Sequence, residues 1–113
     1  MSTILHITSK KAWLQAIERG SYRHDSLDTE EFIHCSYVSQ VVATANRFFQ
    51  GQTELILLEI LPSRVSVEIK EEEAPPHGYF PHIYGELNVD AVVRIIDFEA
   101  NEKGEFELPR ELS

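Results

Sequence analysis

Two short runs carry the residues best suited to chemistry: Phe32-Ile33-His34-Cys35-Ser36 and Phe80-Pro81-His82-Ile83-Tyr84-Gly85. Each places a histidine two residues after a phenylalanine and a hydroxyl-bearing residue two further on. In an extended strand, successive side chains alternate between faces. Phe32, His34 and Ser36 then share one face, and Phe80, His82 and Tyr84 share another. Ile33, Cys35, Pro81 and Ile83 turn toward a core. Two such strands in one sheet would present two imidazoles, a hydroxyl and a phenol to one small ligand. Imidazole exchanges protons near neutrality and donates well to phosphate or carbonyl oxygens. A phenol stacks on a ring and donates a hydrogen bond. The plainer alternative is that each histidine is satisfied by a backbone carbonyl and that Ser36 caps a helix.

Further candidates lie nearby. His6 sits mid-strand among Ile4, Leu5 and Ile7, so its side chain should meet something specific. Tyr22 is a second phenol suited to stacking. Among Glu71, Glu72 and Glu73, one carboxylate aimed at the cleft would orient a sugar hydroxyl or act as a base, and the others would be solvated. His77, between Pro76 and Gly78, reads as exposed. A zinc set of His6, His34, His82 and one glutamate is conceivable, but no paired helical spacing supports it, and no metal is expected. Cys35 alternates with His34 and so belongs to the core face rather than to a reactive site.

These residues need a frame. Ile4–Thr8 reads as an opening strand, with Ile4 and His6 on one face and Leu5 and Ile7 on the other. Ser9 fits the N-cap of a helix over Lys10–Arg19. Trp13, Ala16 and Ile17, with Leu14 beside them, form its apolar stripe, and Gly20 ends it. Tyr22–Glu31 is polar and reads as a loop carrying Arg23, His24, Asp25 and Ser26, of the kind that often bears binding groups on a rigid frame. A second helix follows over about Ser39–Phe49, capped by Ser36 or Ser39, with Val41, Val42, Ala45, Phe48 and Phe49 as its apolar face. The run Leu55-Ile56-Leu57-Leu58 marks a strand over Glu54–Ile60 buried on both faces. Val65, Val67 and Ile69 alternate with polar residues as a half-buried strand. Glu71–Tyr79 reads as a loop, Ala91–Phe98 as a strand, and Glu105–Leu108 as a short last one. Early helices followed by a run of strands predict an α+β fold rather than a doubly wound sheet. No glycine-rich phosphate loop is present.

Composition narrows the class. A chain of 113 residues, 42% hydrophobic and 26% charged, is expected to form one soluble domain spanning 1–113. A net charge of −9 argues against DNA or RNA as a partner of the surface as a whole. The single cysteine excludes an internal disulfide and suits a reducing cytoplasm. No signal-peptide pattern is present, and no apolar run approaches a membrane span. A cytoplasmic protein with no membrane partner is expected.

At the two histidine runs the chain resembles the domain-of-unknown-function 952 family of small bacterial proteins. Ile4-Leu5-His6-Ile7, the Trp13 helix with Gly20 and Tyr22, and Ile69-Lys70-Glu71-Glu72 carry the same likeness, which extends from Leu5 to Pro109. The resemblance implies an ADP-ribosyltransferase-like fold: two N-terminal helices packed on a bent, split β-sheet around a cleft that holds NAD in the relatives. It implies NAD, ADP-ribose or a related phosphorylated nucleotide as ligand, with NAD as a substrate rather than a resident cofactor. His34, His82 and Glu72 are then the candidate catalytic residues. His6, Tyr22, Ser36, Phe80 and Tyr84 are the candidate ligand-binding residues. His34 and His82 match the family's own runs, not the classical transferase triad. A non-catalytic module binding a small metabolite or partner is the alternative, and a monomer or weak homodimer is expected.

Overall fold

A computed structural model describes residues 2–113. Its elements run β1 (Ile4–Ser9), α1 (Lys10–Arg19), β2 (Ser21–Tyr22), α2 (Ser26–Thr29), β3 (Ile33–His34), α3 (Val38–Phe48), β4 (Leu55–Ile60), β5 (Ile69–Glu73), β6 (Tyr79–Ile83), β7 (Leu87–Asn88) and β8 (Val92–Asp97). Short 3₁₀ turns occupy Pro62–Arg64, Val89–Ala91 and Arg110–Leu112. The fold is α+β. Its strands divide into three antiparallel sheets, ordered β1-β4-β8, β2-β7 and β3-β6-β5. Among the described residues, no helix is long and apolar enough to cross a membrane.

β4 is the wall on which the molecule is built. Leu55 to Leu58 are all buried, and their alternation feeds two separate cores. Ile56, Leu58 and Ile60 join Ile4, Trp13 and Ala16, so α1 lies on that face. Leu55 and Leu57 join Leu5, Ile7, Val41 and Ala45, so α3 lies on the opposite face. A continuous apolar strand is what a sheet covered on both sides requires. At α1 the sequence signals hold. Ser9 Oγ accepts the Ala12 N–H at 3.1 Å, and Gly20 closes the helix in the left-handed region at φ 89°. The expected stripe is narrower, however. Trp13 and Ala16 are buried in the core, while Ile17 and Leu14 are 53% and 62% exposed.

Several boundaries differ from the sequence expectation. Tyr22–Glu31 is not simply a loop: Ser21–Tyr22 pairs with Leu87–Asn88, and Ser26–Thr29 is a helical turn. The Phe32–Ser36 strand shortens to Ile33–His34, since Ser36 leaves β6 to exchange both backbone hydrogen bonds with Leu5 at 2.8 Å. That exchange joins the first sheet to the third. Neither serine caps α3. Tyr37 holds the N-cap position, its N–H accepted by Gln40 Oε1 at 2.9 Å. Residues 65–68 are irregular, and β5 begins only at Ile69 but continues through Glu73. Glu71–Glu73 therefore lie in a strand, and the loop contracts to 74–78. No strand forms at 105–108. There the side-chain amide of Asn46 donates to Phe106 O and accepts its N–H, standing in for a strand neighbour.

Candidate functional site

The β3-β6-β5 sheet places the two histidine runs side by side. His34 is paired with His82, and His82 with Lys70. Side chains paired across antiparallel strands share a face, so His34, His82 and Lys70 project together. Two-residue alternation adds Glu72, Phe80 and Tyr84 to that face. Glu71 falls on the other side and hydrogen-bonds the hydroxyl of Tyr37. Strand register thus selects the middle glutamate of the three.

His82 is held at Nδ1 and on one ring face. Its Nδ1 lies 2.8 Å from Glu72 Oε1, and the ring of Phe32 stacks on it with centroids 3.9 Å apart. Glu72 Oε1 also accepts the Tyr84 hydroxyl at 2.5 Å. That hydrogen bond, followed by the one from His82, holds the Glu72 carboxyl below its ordinary range. The same carboxylate pushes the Tyr84 phenol up to about 12. A carboxylate is acceptor-only, so Nδ1 of His82 carries a proton and Nε2 is the nitrogen left facing away from Glu72. His34 is backed in the same manner, with Nε2 2.8 Å from Glu30 Oε2. The two imidazoles meet edge to face with centroids 5.3 Å apart.

His6 is buried on the neighbouring sheet. Its Nδ1 donates to the His34 carbonyl at 2.6 Å, and its Nε2 faces the Tyr22 hydroxyl at 2.7 Å. Burial drives its pKa down to about 3, so the ring stays neutral. Tyr22 Oη is in turn 2.9 Å from Thr8 Oγ1, and burial raises this phenol to about 12. Both nitrogens of His6 are occupied within the protein. The conceivable zinc set loses this member, and among the described residues no group of three or more His, Cys, Asp or Glu side chains is arranged to hold a metal ion.

These groups surround a cleft of about 470 Å³ whose wall includes His6, His24, His34, His77 and His82, all five histidines of the chain. A cleft of this size suits a small organic ligand. Ser36 and Phe80 line it, as expected of ligand contacts. Glu72 and Tyr84 do not; they stand behind His82. Tyr22 is 1% exposed and also off the wall, so the stacking role expected of it is replaced by support of His6. Cys35 is buried, and burial pushes its thiol far up, which suppresses the nucleophilic thiolate.

Reasoning from sequence marked the loop that carries His24 as one suited to binding groups but did not place His24 itself among the site residues, and it missed Glu30, Thr44 and Arg47; all four line this wall. His24 Nδ1 accepts the Ser26 N–H at 3.0 Å, and burial lowers its pKa. A polar loop holding a histidine was the available signal for His24. The Glu30–His34 pair is spaced i, i+4, yet the intervening residues are not helical throughout, so helical spacing did not reveal it.

The fold and the cleft define a small α+β protein with a histidine-lined cleft. The chain matches the family model described as "Protein of unknown function (DUF952)" over residues 7–95 and belongs to that family. Its structure is similar to the crystal structure of protein CC0527 from Caulobacter crescentus, at 29% sequence identity and a TM-score of 0.89, with 98% of each chain covered. The solution NMR structure of CC0527 aligns at 31% identity and a TM-score of 0.81, covering 96% of this chain and 94% of the other. No curated protein matches.

Proposed function

We propose that this protein binds and acts on a small phosphorylated nucleotide of the NAD or ADP-ribose type in the histidine cleft. The observation that carries the reading is the pair His34 and His82, two cleft-lining imidazoles that each lean on a carboxylate. A carboxylate behind an imidazole fixes its tautomer and supports charge on it, the arrangement that general acid–base chemistry requires. In this reading Nε2 of His82 takes or returns a proton at the reacting group. Glu72 orients His82 instead of touching substrate. Ser36 and Phe80 contact the ligand, and His6 shapes the floor. The family resemblance supports an ADP-ribosyltransferase-like reading of the α+β frame, and hence the nucleotide class.

The test is titration of labelled protein with NAD and with ADP-ribose, following the histidine side chains by NMR, with chromatography of the mixtures for product. Saturable shifts at His34 and His82, with a product peak lost in His82→Ala, are expected. Saturable binding without product would make the protein a binding module. Unchanged binding and turnover in both His34→Ala and His82→Ala would sink the reading.

A further inference from the structure

We propose that Arg47, His77 and Thr44 form a subsite for the phosphoryl group of the ligand, at the end of the cleft away from the His34–His82 pair. The inference rests on the nucleotide reading for the rest of the ligand, but its own observations are separate.

The first is charge. Acidic residues outnumber lysine and arginine 19 to 10 in this chain. Lys10, Arg19, Arg23, Lys70 and Arg94 each stand within ion-pair distance of a carboxylate. Arg47 is one of the five lysines and arginines with no such partner among the described residues, and of those five it alone lines the cleft. Arg47 is thus the one guanidinium on the cleft wall, and Glu30, the one carboxylate there among the described residues, is already taken up by His34.

The second is donor geometry. Arg47 Nη1 donates to His77 Nδ1 at 2.8 Å, so the proton of the neutral His77 ring sits on Nε2. The guanidinium also lies over the Phe48 ring, 4.7 Å from its centroid, which restrains its plane. Thr44 is one turn earlier on α3 and lines the same cleft. A guanidinium, an imidazole N–H and a hydroxyl, all donors, thus belong to neighbouring residues of the cleft wall. A planar guanidinium pairs with two phosphate oxygens at once.

The third is placement. His77 lies in the loop joining β5 to β6, and Gly78 is four residues before His82 along the hairpin. At roughly 3.3 Å per strand residue, the backbone at Gly78 stands about 13 Å from that at His82. A ligand engaging both His77 and His82 must carry its phosphoryl group well away from the atoms that meet the histidine pair.

The experiment compares inorganic phosphate, adenosine and adenosine 5′-monophosphate on the full chain, by NMR shifts at Thr44, Arg47 and His77 and by calorimetry. Phosphate is expected to shift these three residues. The monophosphate is expected to bind about tenfold more tightly than adenosine, the effect of one charge-assisted contact. Arg47→Ala should remove that preference and leave adenosine unchanged, and His77→Gln should reduce it. Equal affinities for adenosine and its monophosphate, or an Arg47→Ala loss shared equally by both, would overturn the subsite. If neither nucleoside binds, the phosphate shifts decide. Shifts abolished by Arg47→Ala keep the subsite while sinking the nucleotide reading, and their absence overturns both.

Discussion

At the scale of single residues, the histidines behave differently because their surroundings differ. His6 is neutral by burial, and its pKa near 3 lies below the unfolded value of 6.5. Between those values the unfolded chain binds a proton that the folded chain does not, so stability is fully present above about pH 6.5 and is lost as pH falls toward 3. The slope is roughly 1.4 kcal/mol per pH unit for one group. The urea midpoint should therefore fall between pH 6.5 and 4, and the His6 ring signals should not titrate by NMR above pH 4. A His6 ring that titrates near 6.5 in the folded protein would contradict the burial argument. Glu72 gives a second check. Its carboxylate holds the Tyr84 proton, so Glu72→Gln should lower that phenol from about 12 toward 10, read by NMR titration of the ring. A Tyr84 titration that stays near 12 in this variant would show that another group sets it.

At the scale of elements, the site depends on how the β5-β6 hairpin and the Leu5–Ser36 exchange hold their strands. After β6 the chain turns at Gly85, which has φ 154° and lies against Val67. A Cβ there would come 2.9 Å from Val67 Cγ1, closer than carbon atoms pack. Gly85→Ala should cost about 1–3 kcal/mol in urea unfolding, and adding Val67→Ala should recover part of it. Strict additivity in that double-mutant cycle would refute the contact. Leu57, buried in the middle of β4, should lose about 2–5 kcal/mol on conversion to alanine, measured in the same way. The elements most legible in sequence were those whose signals are local. The α1 caps come from Ser9 and Gly20, and the buried β4 from an unbroken apolar run. The illegible ones rest on distant partners. Three consecutive glutamates read as a loop until pairing with Tyr79–Pro81 makes them a strand. The 105–108 segment reads as a strand until Asn46 supplies its hydrogen bonds instead.

At the scale of the whole molecule, a net charge of −9 surrounds a cleft whose wall carries the guanidinium of Arg47. For an anionic ligand, long-range repulsion and short-range attraction then oppose each other. Salt screens beyond a Debye length of about 10 Å at 0.1 M, while contacts inside the cleft are screened less. The association rate of an anionic nucleotide should therefore rise, by about twofold or more, as salt increases from roughly 0.02 to 0.2 M, as read by stopped flow. A rate that falls would place a wider basic surface around the mouth. The sequence by itself determined the α+β class, the apolar faces of β1 and β4, the caps of α1, and the two runs that carry His34 and His82. All of these follow from side-chain periodicity and residue type along the chain. Only the tertiary structure decided that His6, His24, His34, His77 and His82 meet in one cleft, that Glu72 stands behind His82, and that Tyr22 is withdrawn behind His6. Those relations are set by strand register and by packing between segments far apart in sequence, for which no local pattern of residues stands in.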